Sequence, residues 1–295
     1  MNAFEYAAPR TLDEALAVLG EHGDEARVIA GGTALVTMMR QRLVRPSYLV
    51  SLREIAGLDR IEAANGGLRL GALVTHREVE TSPRVRERLP VLAETFRRVA
   101  SVRIRHMATV GGALAHADPN QDPPVTLLAL GARVQIRGAG GQRELAVDEF
   151  FRDYYESALE PGEVVTGVVV PSLPTESGAA YVKFLPRTAD DYATVAVAAT
   201  VSLEPDGERC RTARIALGSV GVTPIRARAA EALLAGQRVG ADLLRAAGES
   251  VKGAVDPLSD HRGSAAYKRE MAAVMAGRAL TQAWDAARAS VRGTR

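Results

Sequence analysis

Two glycine pairs are the residues whose types and spacing best suit chemistry in this chain of 295 residues. Ala30-Gly31-Gly32-Thr33 ends one apolar stretch, and Ala108-Thr109-Val110-Gly111-Gly112 lies further along the chain. Glycine allows close approach of the backbone to a ligand, and bare N–H groups attract anions. Together the pairs predict a cleft for a phosphate-bearing cofactor. Taken alone, either Gly-Gly is better explained by a tight strand-to-helix turn.

The surroundings of the second pair are more specific than the pair itself. Residues 108–115 are almost all small, so a planar ring or a ribityl chain could lie against this backbone. Asp122 follows, and its carboxylate could accept hydrogen bonds from sugar hydroxyls. Neither the Gly-x-Gly-x-x-Gly fingerprint nor a P-loop ending in Gly-Lys-Ser/Thr occurs in the chain. We therefore expect a cofactor held by another arrangement.

Composition excludes several kinds of site. The chain has 37 basic and 35 acidic residues, a net charge of +2, with no basic block, so we expect no nucleic-acid partner. Cys210 is the single cysteine, which excludes an internal disulfide and a four-thiolate cluster. The five histidines lack the spacing of zinc ligands on a helix, so we expect no metal ligands. Redox chemistry would need an organic cofactor or metals in a partner.

The distribution of apolar residues along the chain also bears on its location. No apolar stretch is long enough to span a bilayer, and we expect no membrane span. Residues 1–6 lack the basic and apolar regions of a signal peptide, which predicts a cytoplasmic location.

Periodicity and turn residues divide the chain into three parts. Residues 1–55 are predicted to form a small αβαβ unit, in which a buried strand over 27–30 leads into a helix starting at Thr33. Residues 56–174 are predicted to contain two hairpins, one turning at 65–67, around several short helices. After the proline-rich linker, residues 175–295 are predicted to form long antiparallel strands covered by helices, one of them beginning at Thr223-Pro224. The predicted fold class is α+β.

Five segments, in order along essentially the whole chain, carry a family resemblance. They are the two glycine segments, the second extending through Ala115-His116-Ala117-Asp118-Pro119, with Gly71-Ala72-Leu73-Val74-Thr75-His76, Asp190-Asp191-Tyr192-Ala193, and residues 260–268. The chain resembles the FAD-binding medium subunit of molybdenum hydroxylases, the carbon monoxide dehydrogenase and xanthine dehydrogenase family. The resemblance implies two FAD-binding subdomains of the vanillyl-alcohol oxidase (PCMH) type, at 1–55 and 56–174, plus a C-terminal α/β domain of antiparallel sheet and helices.

By position, the resemblance implies a set of cofactor-binding residues and no catalytic residue. The first FAD loop would comprise Arg27, Val28, Ile29, Ala30, Gly31, Gly32, Thr33 and Ala34, and the second Thr109, Val110, Gly111, Gly112 and Ala113. Both would wrap the pyrophosphate. The remaining four would be Asp122 on the polar chain of FAD, Val165 near the adenine, Lys183, and Tyr192 over the isoalloxazine ring.

Several of these residues have a structural alternative. Tyr192 would equally fill an edge of the C-terminal sheet, and Lys183 would equally be a solvated strand residue. His116 either hydrogen bonds within its own loop or takes part in catalysis. Asp118 either caps the turn at Pro119 or touches the cofactor.

Three positions depart from the family pattern. Thr33 stands where many carbon monoxide dehydrogenase-type subunits have glutamine, Ala113 where relatives often have serine or asparagine, and Arg27 where lysine is common. These differences leave FAD binding expected but weaken assignment to one subfamily.

The resemblance implies an FAD-carrying electron-transfer subunit. An iron–sulfur small subunit would deliver electrons from a molybdopterin large subunit, and the acceptor would be NAD, a quinone or oxygen. The family suggests a dimer of heterotrimers. Two alternatives stay open: a stand-alone FAD-dependent oxidase or reductase of the same fold, and an assembly subunit without cofactor. The substrate is not indicated by this chain.

Overall fold

The N-terminal part of the chain is a small parallel sheet with helices. The computed structural model describes residues 2–64, 66–186, 188 and 190–293. The strands pair in the order β1-β3-β2, with bounds β1 (Glu5–Ala7), β2 (Ala26–Ile29) and β3 (Tyr48–Ser51). The helical segments are α1 (Leu12–His22), the 3-10 turn Gly23–Glu25 and α2 (Leu35–Arg40). A small core that includes Ala15, Leu19 and Val50 joins α1 to this sheet.

Two sequence predictions for this part are wrong. The unit is βαβαβ rather than αβαβ, because the three-residue strand β1 pairs with β3 although two of its residues are exposed. Strand β2 is not buried: Arg27 is exposed, and Val28 and Ile29 are half-buried. Length and hydropathy could not reveal either fact, since backbone pairing supports β1 and β2 faces an open cleft.

The middle of the chain is built on a five-stranded antiparallel sheet. Its order is β4-β5-β10-β6-β7, with bounds β4 (Ile61–Ala64), β5 (Gly67–Gly71), β6 (Arg133–Gly138), β7 (Gly141–Ala146) and β10 (Val164–Val170). Strands β8 (Phe151–Asp153) and β9 (Glu156–Ser157) form a separate small hairpin. Both predicted hairpins are confirmed by the pairing of β4 with β5 and of β6 with β7, although Asn65 in the first turn lies outside the described residues.

Short helices connect β5 to β6 and cover this sheet. They are α3 (His76–Thr81), α4 (Pro83–Arg88), α5 (Pro90–Arg97), α6 (Val102–Met107), α7 (Val110–His116) and α8 (Asp122–Leu130), and α9 (Val147–Phe150) follows β7. Helix α3 begins with a capping box, in which the Thr75 hydroxyl accepts from the Glu78 N–H and Glu78 accepts from the Thr75 N–H. Helix α8 is buried at every residue, since it packs between this part and the next.

The C-terminal part is an antiparallel sheet in the order β11-β12-β13-β14. The strands are β11 (Ser177–Phe184), β12 (Val195–Leu203), β13 (Cys210–Gly218) and β14 (Ile225–Arg226); the helical segments are α10 (Arg228–Leu234), α11 (Ala241–Ser250), the 3-10 turn Val251–Gly253 and α12 (Ala265–Gly293). Every residue of β12 is buried, because α12 and α8 both pack on it. The helix predicted from Thr223-Pro224 begins later, at Arg228, since Ile225 and Arg226 pair with β13.

No helix in the described ranges combines the length and the low polarity that crossing a membrane requires.

Candidate functional site

The first glycine pair lies in the short connection between β2 and α2. Gly32 has a φ of 71°, a left-handed conformation that favours glycine. Within the described part of the chain, the N–H groups of Gly31, Gly32, Thr33 and Ala34 donate no hydrogen bond. Unpaired backbone donors concentrated in one turn form an anion-binding concavity. This loop therefore has the features predicted for contact with a phosphate.

Helix α2 begins at Leu35, two residues after the predicted start at Thr33, although the Val36 N–H already makes a helical hydrogen bond to the Gly32 carbonyl at 3.0 Å. The residue before α2 is Ala34, which has no capping side chain, and the Thr33 carbonyl instead accepts from the Thr37 hydroxyl at 3.0 Å. Helix α2 has only six residues. The donors of this loop therefore lie in the uncapped turn that leads into α2.

The second glycine pair is the first turn of helix α7, not a loop. The Thr109 hydroxyl caps this helix by accepting from the Gly112 N–H at 3.2 Å. The N–H of Val110 donates to the Val74 carbonyl at 2.9 Å, and that of Gly111 to the Ala72 carbonyl at 2.8 Å. Most donors of this pair are thus already used, and the expectation that both pairs offer bare N–H groups is only half right.

Both glycine pairs allow close packing of backbone segments from distant parts of the chain. A Cβ atom on Gly111 would lie 2.5 Å from the Ala72 Cβ, and a Cβ atom on Gly31 would overlap the Met107 carbonyl oxygen. The first loop therefore packs directly against the segment that leads into α7. Glycine is required at both positions, because a side chain at Gly31 would push the first loop away from Met107, and one at Gly111 would push α7 away from Ala72.

The two segments line one cleft of about 640 Å³. This volume lies within the range of ligand pockets, roughly 300–1,000 Å³. Sixteen of the seventeen residues predicted to bind the cofactor line it: Arg27, Val28, Ile29, Ala30, Gly31, Gly32, Thr33, Ala34, Thr109, Gly111, Gly112, Ala113, Asp122, Val165, Lys183 and Tyr192. Val110 does not; it is 1% exposed and belongs to the core of the middle part.

A buried ion pair between two parts of the chain lies in the wall of the cleft. Lys183 Nζ, from β11, donates to Asp122 Oδ2 of α8 at 2.8 Å and to the Arg98 carbonyl at 2.9 Å. Their side chains are only 2% and 4% exposed, so Lys183 is not a solvated strand residue. The Tyr181 hydroxyl donates to the other carboxylate oxygen.

The electrostatics of this pair follow from its burial. Burial raises the pKa of Asp122, and the adjacent Lys183 ammonium opposes this rise. Burial and the Asp122 charge raise the pKa of the Tyr181 phenol well above its usual value. The Asp122–Lys183 ion pair thus connects α8 to the C-terminal sheet and makes this side of the cleft polar.

Tyr192 lies at the edge of the cleft and is 41% exposed. The Arg262 guanidinium carbon lies 5.6 Å from the centroid of its ring, and Arg262 Nη2 donates to Asp191 Oδ1 at 3.3 Å. Tyr192 therefore faces the cleft rather than filling the edge of the C-terminal sheet.

The histidines near the cleft differ in their surroundings. His116 lines the cleft, its ring centroid lies 5.1 Å from that of Tyr155, and burial lowers its pKa. His76 also lines the cleft but is 3% exposed and packs edge-on against Phe96. Burial lowers the pKa of His76 to about 4, so its imidazole is neutral at physiological pH.

Sequence reasoning missed other lining residues, among them Tyr155, Leu159, Glu163, Gln121 and Ile104. Tyr155 stands out because its φ is 55°, which is uncommon outside glycine. No local pattern marks these residues, since they reach the cleft through the packing of β8–β9, α6 and β10. Among the described residues, no group of three His, Cys, Asp or Glu side chains is placed to hold a metal ion.

Comparison with known proteins identifies the family. A profile described as the FAD binding domain in molybdopterin dehydrogenase matches residues 2–173, more than half of the chain. The chain belongs to this family. A second profile, the CO dehydrogenase flavoprotein C-terminal domain, matches residues 180–283. FAD is the cofactor of this family member, and the resemblance and fold class inferred from the sequence are confirmed.

Individual relatives agree over nearly their whole length. The carbon monoxide dehydrogenase medium chain of Afipia carboxidovorans (strain ATCC 49405 / DSM 1227 / KCTC 32145 / OM5) is 36% identical over 281 residues, 95% of this chain and 96% of that one. The 6-hydroxypseudooxynicotine dehydrogenase complex subunit alpha of Paenarthrobacter nicotinovorans is 36% identical over 286 residues, 97% of this chain and 96% of that one.

Solved structures show the same fold. A carbon monoxide dehydrogenase from Hydrogenophaga pseudoflava superposes with a TM-score of 0.93 at 36% identity, covering 96% of this chain and 98% of that one. Quinoline 2-oxidoreductase from Pseudomonas putida 86 gives a TM-score of 0.91 at 34% identity, covering 97% and 99%. This member of the molybdopterin dehydrogenase family is thus an FAD-binding subunit of the molybdenum hydroxylase type, and its relatives are dehydrogenase subunits of oxidoreductase complexes.

Proposed function

We propose that this chain carries electrons through its FAD, from an iron–sulfur small subunit to an external acceptor. A molybdopterin large subunit oxidises the substrate in the same complex. The acceptor is NAD, a quinone or oxygen, and the complex is a dimer of heterotrimers. The protein works in the cytoplasm.

The observation that carries this proposal is the group of free backbone N–H donors in the first glycine loop of the cleft. Four N–H groups that donate no hydrogen bond within the described residues belong to Gly31, Gly32, Thr33 and Ala34, which line the cleft, and Gly31 packs directly on the Met107 carbonyl. Such donors offset the charge of a pyrophosphate without lysine or arginine. The residues present therefore fit FAD, with the first loop as the main phosphate contact and α7 as the surface against it.

The remaining predicted contacts are part of the same proposal. Asp122 accepts from hydroxyls of the FAD polar chain, Lys183 fixes that carboxylate and contacts the cofactor, Val165 packs near the adenine, and Tyr192 packs over the isoalloxazine. Bound FAD supplies the ability to take up single electrons and to give up two. The chain's own residues bind and orient the cofactor, and none of them has to move a substrate proton.

The composition supports a division of labour between subunits. The single cysteine, Cys210, is fully buried in β13, and burial raises the pKa of its thiol to about 11. A thiol in this state is a poor metal ligand. The metal centres of the complex must therefore belong to other chains.

Purification of the native complex tests the proposal. We expect the chain to be yellow from flavin absorbance and to copurify with a cysteine-rich small chain and a large molybdenum-containing chain. The isolated chain should accept electrons from a chemical reductant but should not turn over a small organic substrate. Such turnover would favour a stand-alone oxidase, and a colourless native complex would favour an assembly subunit.

A further inference from the structure

Residues 260–268, one of the segments that carry the family resemblance, have no part in the proposed cofactor contacts. They form a tight turn just before α12, in which the Asp260 N–H donates to the Gly263 carbonyl at 3.0 Å and the Gly263 N–H donates to the Asp260 carbonyl at 3.1 Å. Gly263 has a φ of 154°, and a Cβ atom on it would lie 2.8 Å from the Tyr267 ring. The turn therefore needs glycine, and it fixes the backbone on either side of Arg262.

A buried ion pair anchors this turn to α12. Lys268 is buried, and its Nζ lies 2.8 Å from Asp260 Oδ2 and donates to the Leu258 carbonyl at 2.9 Å. The other carboxylate oxygen, Asp260 Oδ1, accepts from the Arg262 N–H at 2.8 Å. One oxygen of Asp260 is thus held by α12, and the other holds the backbone of Arg262.

The side chain of Arg262 joins this turn to the edge of the cleft. Its Nη1 lies 3.8 Å from Asp260 Oδ2, and its Nη2 donates to Asp191 Oδ1 at 3.3 Å. Its guanidinium carbon lies over the Tyr192 ring, 5.6 Å from the centroid. Carboxylates from two segments distant in sequence therefore hold one cation against this ring.

The carboxylate that binds Arg262 also holds the backbone of Tyr192. Asp191 Oδ1 accepts from the Tyr192 N–H at 2.7 Å. This hydrogen bond is the main cause that lowers the pKa of Asp191, and Arg262 adds to it, so the carboxylate is ionised at physiological pH. Asp191 and Tyr192 line the cleft, whereas Arg262 is not among the described residues that line it. Arg262 can therefore act on the cleft only through these neighbours.

We propose that Arg262 is a positioning residue for Tyr192, which covers one face of the ring and leaves the other face for the isoalloxazine of FAD. A cation over an exposed ring is a weak contact by itself, so the carboxylates that keep Arg262 in place are needed for it to orient the ring. Lys268 and Asp260 in turn fix Arg262, which gives residues 260–268 a role at a site that they do not touch. The inference rests on the proposed contact of Tyr192 with the cofactor.

The first test needs no cofactor. In the full chain stripped of FAD and labelled with ε-¹³C-tyrosine, the Tyr192 resonance is the one lost in Tyr192→Phe, and its relaxation reports the mobility of the ring. We expect Arg262→Met to make this ring more mobile. Arg288→Met, which removes an arginine that lies over the Trp284 ring at 5.9 Å, should leave Tyr192 unchanged. Unchanged mobility of Tyr192 in Arg262→Met would overturn the proposal.

Asp260→Asn tests the anchor. It keeps an acceptor for the Arg262 N–H but removes the charge that faces Lys268 and the guanidinium, so we expect the Tyr192 ring to gain mobility, though less than in Arg262→Met. Asp206→Asn is the matched control, because Asp206 also accepts from N–H groups of its own turn. Equal mobility of Tyr192 in these two aspartate variants would reject the role of residues 260–268.

Asp191→Asn keeps the proposal testable if Arg262→Met does not fold. The Asp191 side chain is exposed, and asparagine still offers an oxygen to the Tyr192 N–H while removing the charge opposite Arg262. We expect the ring of Tyr192 to become more mobile in this variant as well. A ring as rigid as in the parent chain would contradict the orientation of Tyr192 by Arg262.

The second test uses the FAD-loaded protein. A phenol in contact with the isoalloxazine quenches flavin fluorescence by electron transfer, so Arg262→Met should lengthen the mean fluorescence lifetime of bound FAD. In the Tyr192→Phe background the same substitution should change nothing, because Arg262 acts through that ring. Equal lengthening in both backgrounds, or none in either, would reject the positioning role. Failure of the wild-type protein to bind FAD would instead reject the proposed function, since the ring mobility is measured without cofactor.

Discussion

At the scale of single residues, glycine acts here by the absence of a side chain. Gly31 meets the Met107 carbonyl so closely that a Cβ atom could not be placed, whereas Gly20 on α1 has nothing within 4 Å of that position. The two glycines therefore form a matched pair for substitution, one inside the cleft and one on an exposed helix surface.

We expect Gly31→Ala to abolish FAD retention and to lower the free energy of unfolding by about 1–3 kcal/mol, the usual penalty for overpacking. Gly20→Ala should stabilise the chain by roughly 0.5–1 kcal/mol, because alanine favours the helix. Flavin content after gel filtration and urea denaturation measure the two effects. Full flavin occupancy in Gly31→Ala would contradict the close contact between the two segments.

The ion pair of Lys183 with Asp122 is the second prediction at this scale. Lys183→Met leaves a buried carboxylate without its counter-ion, so the chain should lose about 3–5 kcal/mol of stability. A double-mutant cycle with Asp122→Asn should recover part of this loss. Lys252→Met removes a surface pair with the exposed Glu249 and Glu270 and should cost much less than Lys183→Met. Equal losses in the two lysine variants would refute the burial of the pair.

His76 predicts a pH dependence. Its folded pKa of about 4 lies below the ordinary value of 6.5, so the unfolded chain binds the proton more tightly. The stability that neutral His76 contributes is complete above pH 6.5 and is lost, at roughly 1 kcal/mol per pH unit, as the pH falls toward 4. His76→Leu should flatten this slope in urea unfolding, whereas substitution of the exposed His106 by glutamine should not. Parallel slopes in all three proteins would exclude His76 as the cause.

At the scale of elements, helix α7 decides what the second glycine pair does. The sequence Thr109-Val110-Gly111-Gly112 was predicted as a phosphate loop, yet its N–H groups bond to the carbonyls of residues 72 and 74 or to the Thr109 hydroxyl. The carbonyls of residues 72 and 74 lie far away in sequence, so no local pattern could reveal that the Val110 and Gly111 donors are taken. Capping signals at Thr75 and Ser82 were read correctly because all their partners lie within three residues.

Thr109→Ala tests the role of α7. Loss of the cap should cost about 1 kcal/mol of stability, and FAD affinity should fall because Gly112, its partner, lines the cleft. Thr109→Ser keeps the hydroxyl and should behave like the parent chain. Urea unfolding and fluorescence titration with FAD measure these effects. Equal FAD affinity in the alanine variant and the parent chain would show that the Thr109 cap does not contribute to FAD binding.

At the scale of the whole molecule, the cleft joins all three parts of the chain. The N-terminal part supplies the first loop, the middle part supplies α7 and Asp122, and the C-terminal sheet supplies Lys183. Helix α8 is buried between the second and third parts, so their cores meet along its length. Ligand binding in this cleft should therefore stabilise the molecule as a unit.

We expect FAD at about 100 times its dissociation constant to stabilise the cofactor-free chain by about 2.7 kcal/mol, in a single thermal transition. Riboflavin, which has the ring but no pyrophosphate, should give a much smaller shift, because the N–H groups of the first loop would be left without their anion. Scanning calorimetry of both mixtures provides the measurement. Equal shifts of the transition temperature with the two ligands would argue against binding of the pyrophosphate by the first loop.

The sequence alone determined the family, the cofactor, most of the strands and helices, and sixteen residues of one cleft lining. It could do so because small residues, caps and turns act over short distances, and because five segments keep their order along the chain. Only the tertiary structure decided which N–H groups remain free, that Lys183 is buried against Asp122, and that Tyr155 lines the same cleft as Tyr192. Each of these depends on partners that folding brings together from distant positions, and a linear pattern does not contain that information.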